Sequence, residues 1–183
     1  IASDECYINF PAADKKPISI LSAAKGDNKN LIAVHSMSKR SNLAGYRAAL
    51  IVGDSELIAR IREVRKHAGM MVPLPIQRAL TTALKDENHV KEQAKRYSDR
   101  RNKLRPALEK AGFKIEYSEA GLYIWCSRAE SSWDSVTWLA NLGILVAPGA
   151  FYGPAGDKFI RVALTASDAK INEAAERILA SVK

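Results

Sequence analysis

Cysteine and histidine are scarce in this chain, and their positions exclude two function classes at once. Cys6 and Cys126 lie far apart in strand-like surroundings, so a disulfide framework is not expected. His35, His67 and His89 are scattered without ligand spacing, and no metal site is expected either. No apolar run approaches the ~18 residues of a membrane span, and neither an internal repeat nor a low-complexity tract is present. There is also no initiator methionine and no signal peptide. The first residues thus read as the middle of a longer chain, while the two distant cysteines make a reducing cytoplasm the default expectation and no membrane partner is expected.

Charge of one sign is in excess. The net charge of +8 raises the question of nucleic acid, and much of it sits between Lys85 and Lys110. There, Val90, Ala94, Tyr97, Leu104, Leu108 and Ala111 share one helical face. Lys91, Lys95, Arg96, Arg100 and Lys103 spread over the others, interleaved with Glu87, Glu92 and Asp99. That pattern is a solvated amphipathic helix, and no aromatic platform accompanies it, so nucleic acid is not an expected partner.

What the chain does contain is concentrated after Leu31-Ile32-Ala33-Val34, a short apolar run suited to a strand covered on both faces. Its carboxyl end opens into Ser36-Met37-Ser38-Lys39-Arg40-Ser41-Asn42-Leu43-Ala44-Gly45-Tyr46-Arg47, the position where open α/β sheets place ligands. Burial and neighbouring cations activate a lysine amine as a nucleophile, and Arg40 and Arg47 both lie close in sequence to Lys39. Ser36 and Ser38 offer hydroxyls and Arg47 a bidentate fork, the fixed donors a phosphate needs. Gly45 permits backbone conformations or close approaches that a Cβ would obstruct. The four residues Ser36 to Lys39 taken alone describe an ordinary solvated turn equally well.

Two further places carry charge where strands are expected. The opening Ile1-Ala2-Ser3-Asp4-Glu5-Cys6-Tyr7 puts a carboxylate and a phenol three positions apart, which alone would be a strand-end cap and a half-buried aromatic. Arg161 interrupts the apolar run Phe159 to Leu164. It either faces inward and needs a partner, or points outward from an edge strand.

The remaining elements follow in order. A strand Ala48 to Val52 ends at Gly53, and Asp54 or Ser55 caps a helix to about His67. Gly69 to Pro75 is an ordered non-helical crossing. Helices run from about Pro75 to Leu84 and from about Glu87 to Ala111, the second with a kink expected at Pro106. Short strands follow at Phe113 to Tyr117, Leu122 to Cys126, Ile144 to Ala147 and Phe159 to Leu164, with a helix Trp133 to Leu142 between them and a last helix capped by Ser167.

The motif Ser-x-Ser-Lys-x-x-Asn-Leu-Ala-Gly-Tyr-Arg resembles the lysine signature of fold-type I pyridoxal-phosphate aminotransferases, class I and II. Asp4-Glu5-x-Tyr7, the Ala147-Pro148-Gly149 to Gly153 loop, Glu119-Ala120-Gly121-Leu122-Tyr123 and Phe159-Ile160-Arg161 resemble further elements of that family, so the likeness spans essentially the whole chain. It implies the aspartate aminotransferase-like α/β fold: the end of the large-domain mixed sheet over residues 1–95, and an α+β C-terminal small domain over 96–183, divided inside the long helix. It implies pyridoxal 5'-phosphate as cofactor, with Lys39 its covalent anchor and proton shuttle. Asp4 would hold the pyridine nitrogen protonated, Tyr7 would bond the ring 3-oxygen, and Arg47, with Ser36 and Ser38, would hold the phosphate. Arg161 would clamp the substrate carboxylate and Tyr123 would line the substrate wall. The expected reaction is a ping-pong amino transfer from glutamate to a keto acid.

The resemblance further implies a homodimer with shared active sites, the Gly69 to Pro75 crossing lying at the subunit interface, and a missing N-terminal half that supplies the phosphate loop and the ring-stacking aromatic. The present residues alone are not expected to transaminate. The wording of the lysine motif Ser36 to Arg47, of Arg65-Lys66-His67-Ala68-Gly69-Met70-Met71-Val72-Pro73, of Glu119-Ala120-Gly121-Leu122-Tyr123 and of Phe151-Tyr152-Gly153-Pro154 is most similar to the succinyldiaminopimelate aminotransferases of lysine and cell-wall precursor synthesis. Another class I aminotransferase or a β-lyase would share every residue named. An aminotransferase-like regulatory domain fused to a DNA-binding module would use the cofactor as a sensed ligand.

Overall fold

The computed structural model describes residues 1–12 and 15–182, which divide into two compact units with the break between Ala94 and Lys95. In the first unit, strand β1 (Ala2–Asp4) runs parallel to β2 (Ile32–Ser36), and β3 (Ala49–Gly53) returns antiparallel to β2, giving a mixed three-stranded sheet with β2 in the centre. The short helix α1 (Ile20–Ala23) precedes β2, and the single turn α2 (Met37–Arg40) follows it directly. Helices α3 (Ser55–His67) and α4 (Leu74–Lys85) complete the unit.

Local chemistry explains the element ends. Asp54 caps α3, its Oδ1 accepting from the amides of Glu56 and Leu57, and Arg65, Lys66 and His67 in the last turn complement the helix dipole. Gly53 adopts φ 143°, and a Cβ there would lie 2.1 Å from the Leu31 carbonyl oxygen, so only glycine fits where β3 ends. Burial of β2 is one-sided at its centre: Ala33 is fully buried, whereas Val34 opens onto a groove. The strand expected to be covered on both faces is covered on one.

Helix α5 (Asn88–Lys110) carries the break between the units and continues through Pro106. In the second unit, β4 (Lys114–Ile115), β5 (Tyr123–Ser127), β6 (Ala147–Pro148) and β7 (Ile160–Ala163) form an antiparallel sheet in the order β4-β5-β7-β6. With α6 (Ser132–Asn141) and α7 (Asp168–Ser181) they enclose a core of Leu104, Leu108, Ile124, Leu139, Ile160, Leu164 and Ile178.

Two expected strands shrink to pairs of residues. The Glu116 amide still bonds the Trp125 carbonyl, but Tyr117 is left-handed at φ 48° and the Ser118 hydroxyl accepts the Trp125 amide, so the chain leaves the ladder there. Gly143, at φ 72°, ends α6 while the Ile144 amide bonds back to the Leu139 carbonyl, which spends residues 143 and 144 on a helix stop and leaves Leu145 92% exposed. Arg100 is also placed differently from its expected solvated face. Its side chain is 13% exposed, with Nε 2.5 Å from the Asp168 carboxylate and Nη1 donating to the Leu164 carbonyl. The expected solvated helix is thus tied to the end of β7 and the start of α7.

Candidate active site

Parallel pairing brings the carboxyl ends of β1 and β2 side by side, and the Glu5 amide continues the ladder by donating to the Val34 carbonyl at 2.9 Å. Asp4 is exposed there. Its Oδ1 accepts the Cys6 amide at 3.0 Å, and hydrogen bonds from the Cys6 thiol and amide hold its carboxyl below the ordinary range despite some desolvation. Asp4 therefore remains a carboxylate well into acid. The Cys6 thiol is pushed up to about 11, first by burial and then by Asp4, while the Ser36 backbone and the Lys39 charge act in the other direction. These couplings place Asp4, Cys6, Ser36 and Lys39 in one neighbourhood. Tyr7 sits partly buried in the turn that follows, its carbonyl accepting the Phe10 amide. Glu5, which sequence reasoning passed over, is buried. Its Oε1 accepts from the Ser19 hydroxyl and the Ile20 amide, and its Oε2 is 3.6 Å from His35 Nε2.

Ser36 ends β2 and caps α2, its hydroxyl accepting the Ser38 amide at 3.2 Å. Met37 is fully buried against Ala48 and Leu80, so the single turn is anchored by its first residue and holds Lys39 half-buried just beyond. No acidic group among the described residues pairs with Lys39. Arg47, exposed, adopts φ 52° and ψ 46° with Nη1 donating to the Ala44 carbonyl at 2.8 Å. A non-glycine residue in this conformation costs on the order of 1 kcal/mol and clusters at ligand sites. Arg47 also lines the groove beside Val34, a space of about 700 Å³ bounded by α3, α4 and the crossing 70–72.

Arg40 does not serve as the second cation beside Lys39. It is 9% exposed and spends its guanidinium on Glu87, the Ala83 carbonyl at 3.1 Å and the Ser41 hydroxyl at 3.3 Å. A buried cation needs such partners, and the nearest ones come from the end of α4 and the residues following it.

In the second unit Arg161 is half-buried on β7, opposite Trp125 on β5 and Ala147 on β6. Because β7 is an interior strand, the outward edge reading does not describe it, and the side chain follows the inward one with aromatic rings against it. Its guanidinium lies 4.2 Å from the Tyr123 ring centroid and 5.3 Å from that of Tyr152, its Nε is buried without a hydrogen-bond partner, and no described acidic residue pairs with it. Aromatic faces can stabilise such a cation by about 0.5–2 kcal/mol while leaving its edge without a protein acceptor. Trp125 stacks on Phe159 at 5.2 Å and meets Tyr152 edge-on at 5.7 Å, so the ring cluster is continuous. The loop carrying Tyr152 is pressed against it at Gly149, where a Cβ would lie 2.2 Å from the Gly156 oxygen and 3.0 Å from Trp125 Cη2. Gly149→Ala should lower the unfolding free energy by about 1–3 kcal/mol. Urea denaturation measures this, and an unchanged midpoint would show that the loop yields freely.

Arg101 is a buried residue that sequence reasoning missed. It is 4% exposed on α5, and its only described hydrogen-bond partners are the carbonyls of Ser118, Gly121 and Tyr123. Its spacing from Tyr97 and Leu104 places it on the buried face, which was the available signal.

The first unit, with a lysine on a one-turn helix after a central strand and an ionised carboxylate on the parallel neighbour, and the second, with an arginine that no described acidic residue pairs with on an antiparallel sheet, each match parts of an aspartate aminotransferase-like fold. The family model for aminotransferase class I and II matches residues 1–178, and the chain belongs to that family. Its cofactor is pyridoxal 5'-phosphate. The chain is 53% identical over 180 residues to 4-dedimethylamino-4-oxo-anhydrotetracycline transaminase OxyQ of Streptomyces rimosus, covering 97% of this chain and 50% of that protein. It is 53% identical to the probable aminotransferase Rv1178 of Mycobacterium tuberculosis, with 97% and 43% covered. It is 33% identical to LL-diaminopimelate aminotransferase of Maridesulfovibrio salexigens, with 97% and 47% covered. An aminotransferase structure from Neisseria meningitidis superposes with a TM-score of 0.90 at 31% identity, covering 100% of this chain and 49% of that one. The chain thus spans about half the length of the curated relatives it matches. None of these names carries the succinylated substrate suggested by the motif wording.

Proposed function

We propose that this chain is the lysine-bearing part of a pyridoxal-phosphate-dependent aminotransferase that takes an amino group from glutamate and gives it to a keto acid, with N-succinyl-2-amino-6-oxopimelate as the acceptor. The observation that carries the proposal is the donor set at the ends of β1 and β2: an ionised Asp4 and the amine of Lys39 in one neighbourhood, with Arg47 held in a left-handed conformation. These residues fit the cofactor, because a protonated pyridine requires a carboxylate that keeps its charge and a phosphate requires fixed cations. Lys39 would hold the cofactor and move the proton at the substrate Cα. Asp4 would keep the ring nitrogen charged, Tyr7 would bond the 3-oxygen, and Arg47 with Ser36 and Ser38 would hold the phosphate. When bound, the cofactor supplies the electron sink.

Arg161 would take the substrate α-carboxylate, with Tyr123 beside it as substrate wall. On this reading, residues 1–95 are the end of the cofactor-binding domain and 96–183 the small domain of a cytoplasmic homodimer, whose polypeptide is about twice this length. Intact mass and gel filtration of active material test the last point. A 20.1 kDa monomer that turns over glutamate would refute it.

Supplying glutamate and a panel of acceptors decides the substrate. Preference for the succinylated keto acid supports the reading, and none for it removes that part. The 53% identity to OxyQ favours a second acceptor class, a ketone on a polycyclic scaffold, for the same panel. Release of ammonia would indicate a lyase, and binding without turnover a sensor. Arg161→Lys should raise KM for amino-acid substrates about 10- to 100-fold, since a charged hydrogen bond contributes about 1.5–3 kcal/mol and lysine lacks the planar fork. Unchanged KM and kcat would place Arg161 outside substrate binding.

A further inference from the structure

Arg101 poses a physical puzzle that the proposed function does not use. It is a buried guanidinium on α5 with no carboxylate among its described partners, in a stretch where Leu104 and Leu108 show that apolar side chains pack well. Burial, and next the charge of Arg105, lower its pKa, the signature of a cation held at a cost. A chain that keeps such a group uses its geometry. Nη2 donates to the Gly121 carbonyl at 2.7 Å, and Nη1 is shared between the carbonyls of Ser118 at 3.3 Å and Tyr123 at 3.2 Å. Three carbonyls of one turn therefore converge on a single planar fork, which an amide or an ammonium could not reproduce.

That turn needs holding. It enters through the left-handed Tyr117 and contains Gly121 at φ 102°, and its other described backbone ties are the Ala12 amide on the Glu119 carbonyl and the Leu164 amide on the Leu122 carbonyl. It delivers Tyr123, the first residue of β5, whose ring lies 4.2 Å from the Arg161 guanidinium. We propose that Arg101 is a positioning residue of the carboxylate site: through the carbonyls of residues 118, 121 and 123 it fixes the backbone from which Tyr123 presents its ring to Arg161, and so sets how tightly carboxylate substrates are held. The proposal rests on the reading of Arg161 as the carboxylate receptor.

The test uses Arg101→Lys and Arg101→Met in the complete holoenzyme, with Arg161→Lys in parallel. Steady-state constants are measured for glutamate and the keto acid, and the single-turnover rate for a primary amine lacking an α-carboxylate. Both Arg101 variants should raise KM for the carboxylate substrates about 10- to 100-fold, the scale of a misplacement near 1 Å. Changes in kcat and in the amine rate should stay within about threefold. Equal losses with amine and amino acid, no loss with either, or failure of both variants to fold would make Arg101 a purely structural residue and overturn the proposal. If Arg161→Lys leaves the preference for carboxylate substrates intact, the reading of Arg161 falls and takes this proposal with it. A loss confined to the Arg101 variants is then a scaffold effect.

Discussion

Lys39→Ala should reduce amino transfer from glutamate by about ten-thousand-fold or more, while leaving the fold in place. Met37, not Lys39, anchors the turn α2 in the core, and no acidic partner of Lys39 among the described residues would be left uncompensated. On the proposed assignment the loss is large because the variant removes both the covalent attachment of the cofactor and the group that moves the proton. Positioned proton transfer alone contributes about 10²–10⁴. Borohydride reduction of the unmodified holoenzyme, followed by peptide mapping, should place the pyridoxyl mass on Lys39. A label on any other lysine would end this assignment, as would substantial turnover by the variant.

Asp4→Asn should retain the cofactor and lower turnover by about 10²–10³, the size of effect seen when one preorganised electrostatic contact is removed. On the proposed assignment Asp4 would matter more in the transition state than at rest, because the charge it holds on the bound cofactor would count most as the substrate proton leaves. The geometry gives the sign of the pH dependence. Hydrogen bonds from Cys6 hold the carboxyl below the usual aspartate range, so Asp4 keeps its charge down to that lowered value, while the stability it contributes is complete above the usual range and is lost progressively as pH falls from there through the lowered value. On the proposed role Asp4 therefore adds no acid limb to kcat at mildly acidic pH, and Cys6→Ala, which removes the thiol bond, should move the limb that Asp4 does cause toward higher pH. Near-normal turnover of Asp4→Asn would refute the role.

The fold class was legible because its signals are local. A short apolar run, a small-polar loop with lysine and arginine at fixed spacing, and the caps Asp54 and Ser167 are all written within a few residues of where they act. The two arginines that departed from expectation share a different cause with Arg101, for which there was no expectation. Each of the three is drawn in by partners far along the chain: Ala83 and Glu87 for Arg40, Leu164 and Asp168 for Arg100, and the carbonyls at 118, 121 and 123 for Arg101. Periodicity locates a helix face but does not reveal what the opposing loop offers it. The truncated strands at Lys114–Ile115 and Ala147–Pro148 have the same origin, since β-propensity at Tyr117 and Leu145 yields to a side-chain bond from Ser118 and to a glycine helix stop.

The two thiols give the molecule an experimental handle. With Cys6 pushed up to about 11 and Cys126, by burial, to about 12, roughly one thiol in ten thousand or fewer is ionised at neutral pH. Maleimides and iodoacetamides should leave the native protein almost unmodified. An introduced surface cysteine such as Leu145→Cys, at a position 92% exposed, should then react far faster than either of these two thiols. Neither Cys6, which lies against the candidate cofactor site, nor Cys126 then needs to be deleted before a fluorophore or spin label is placed in the second unit.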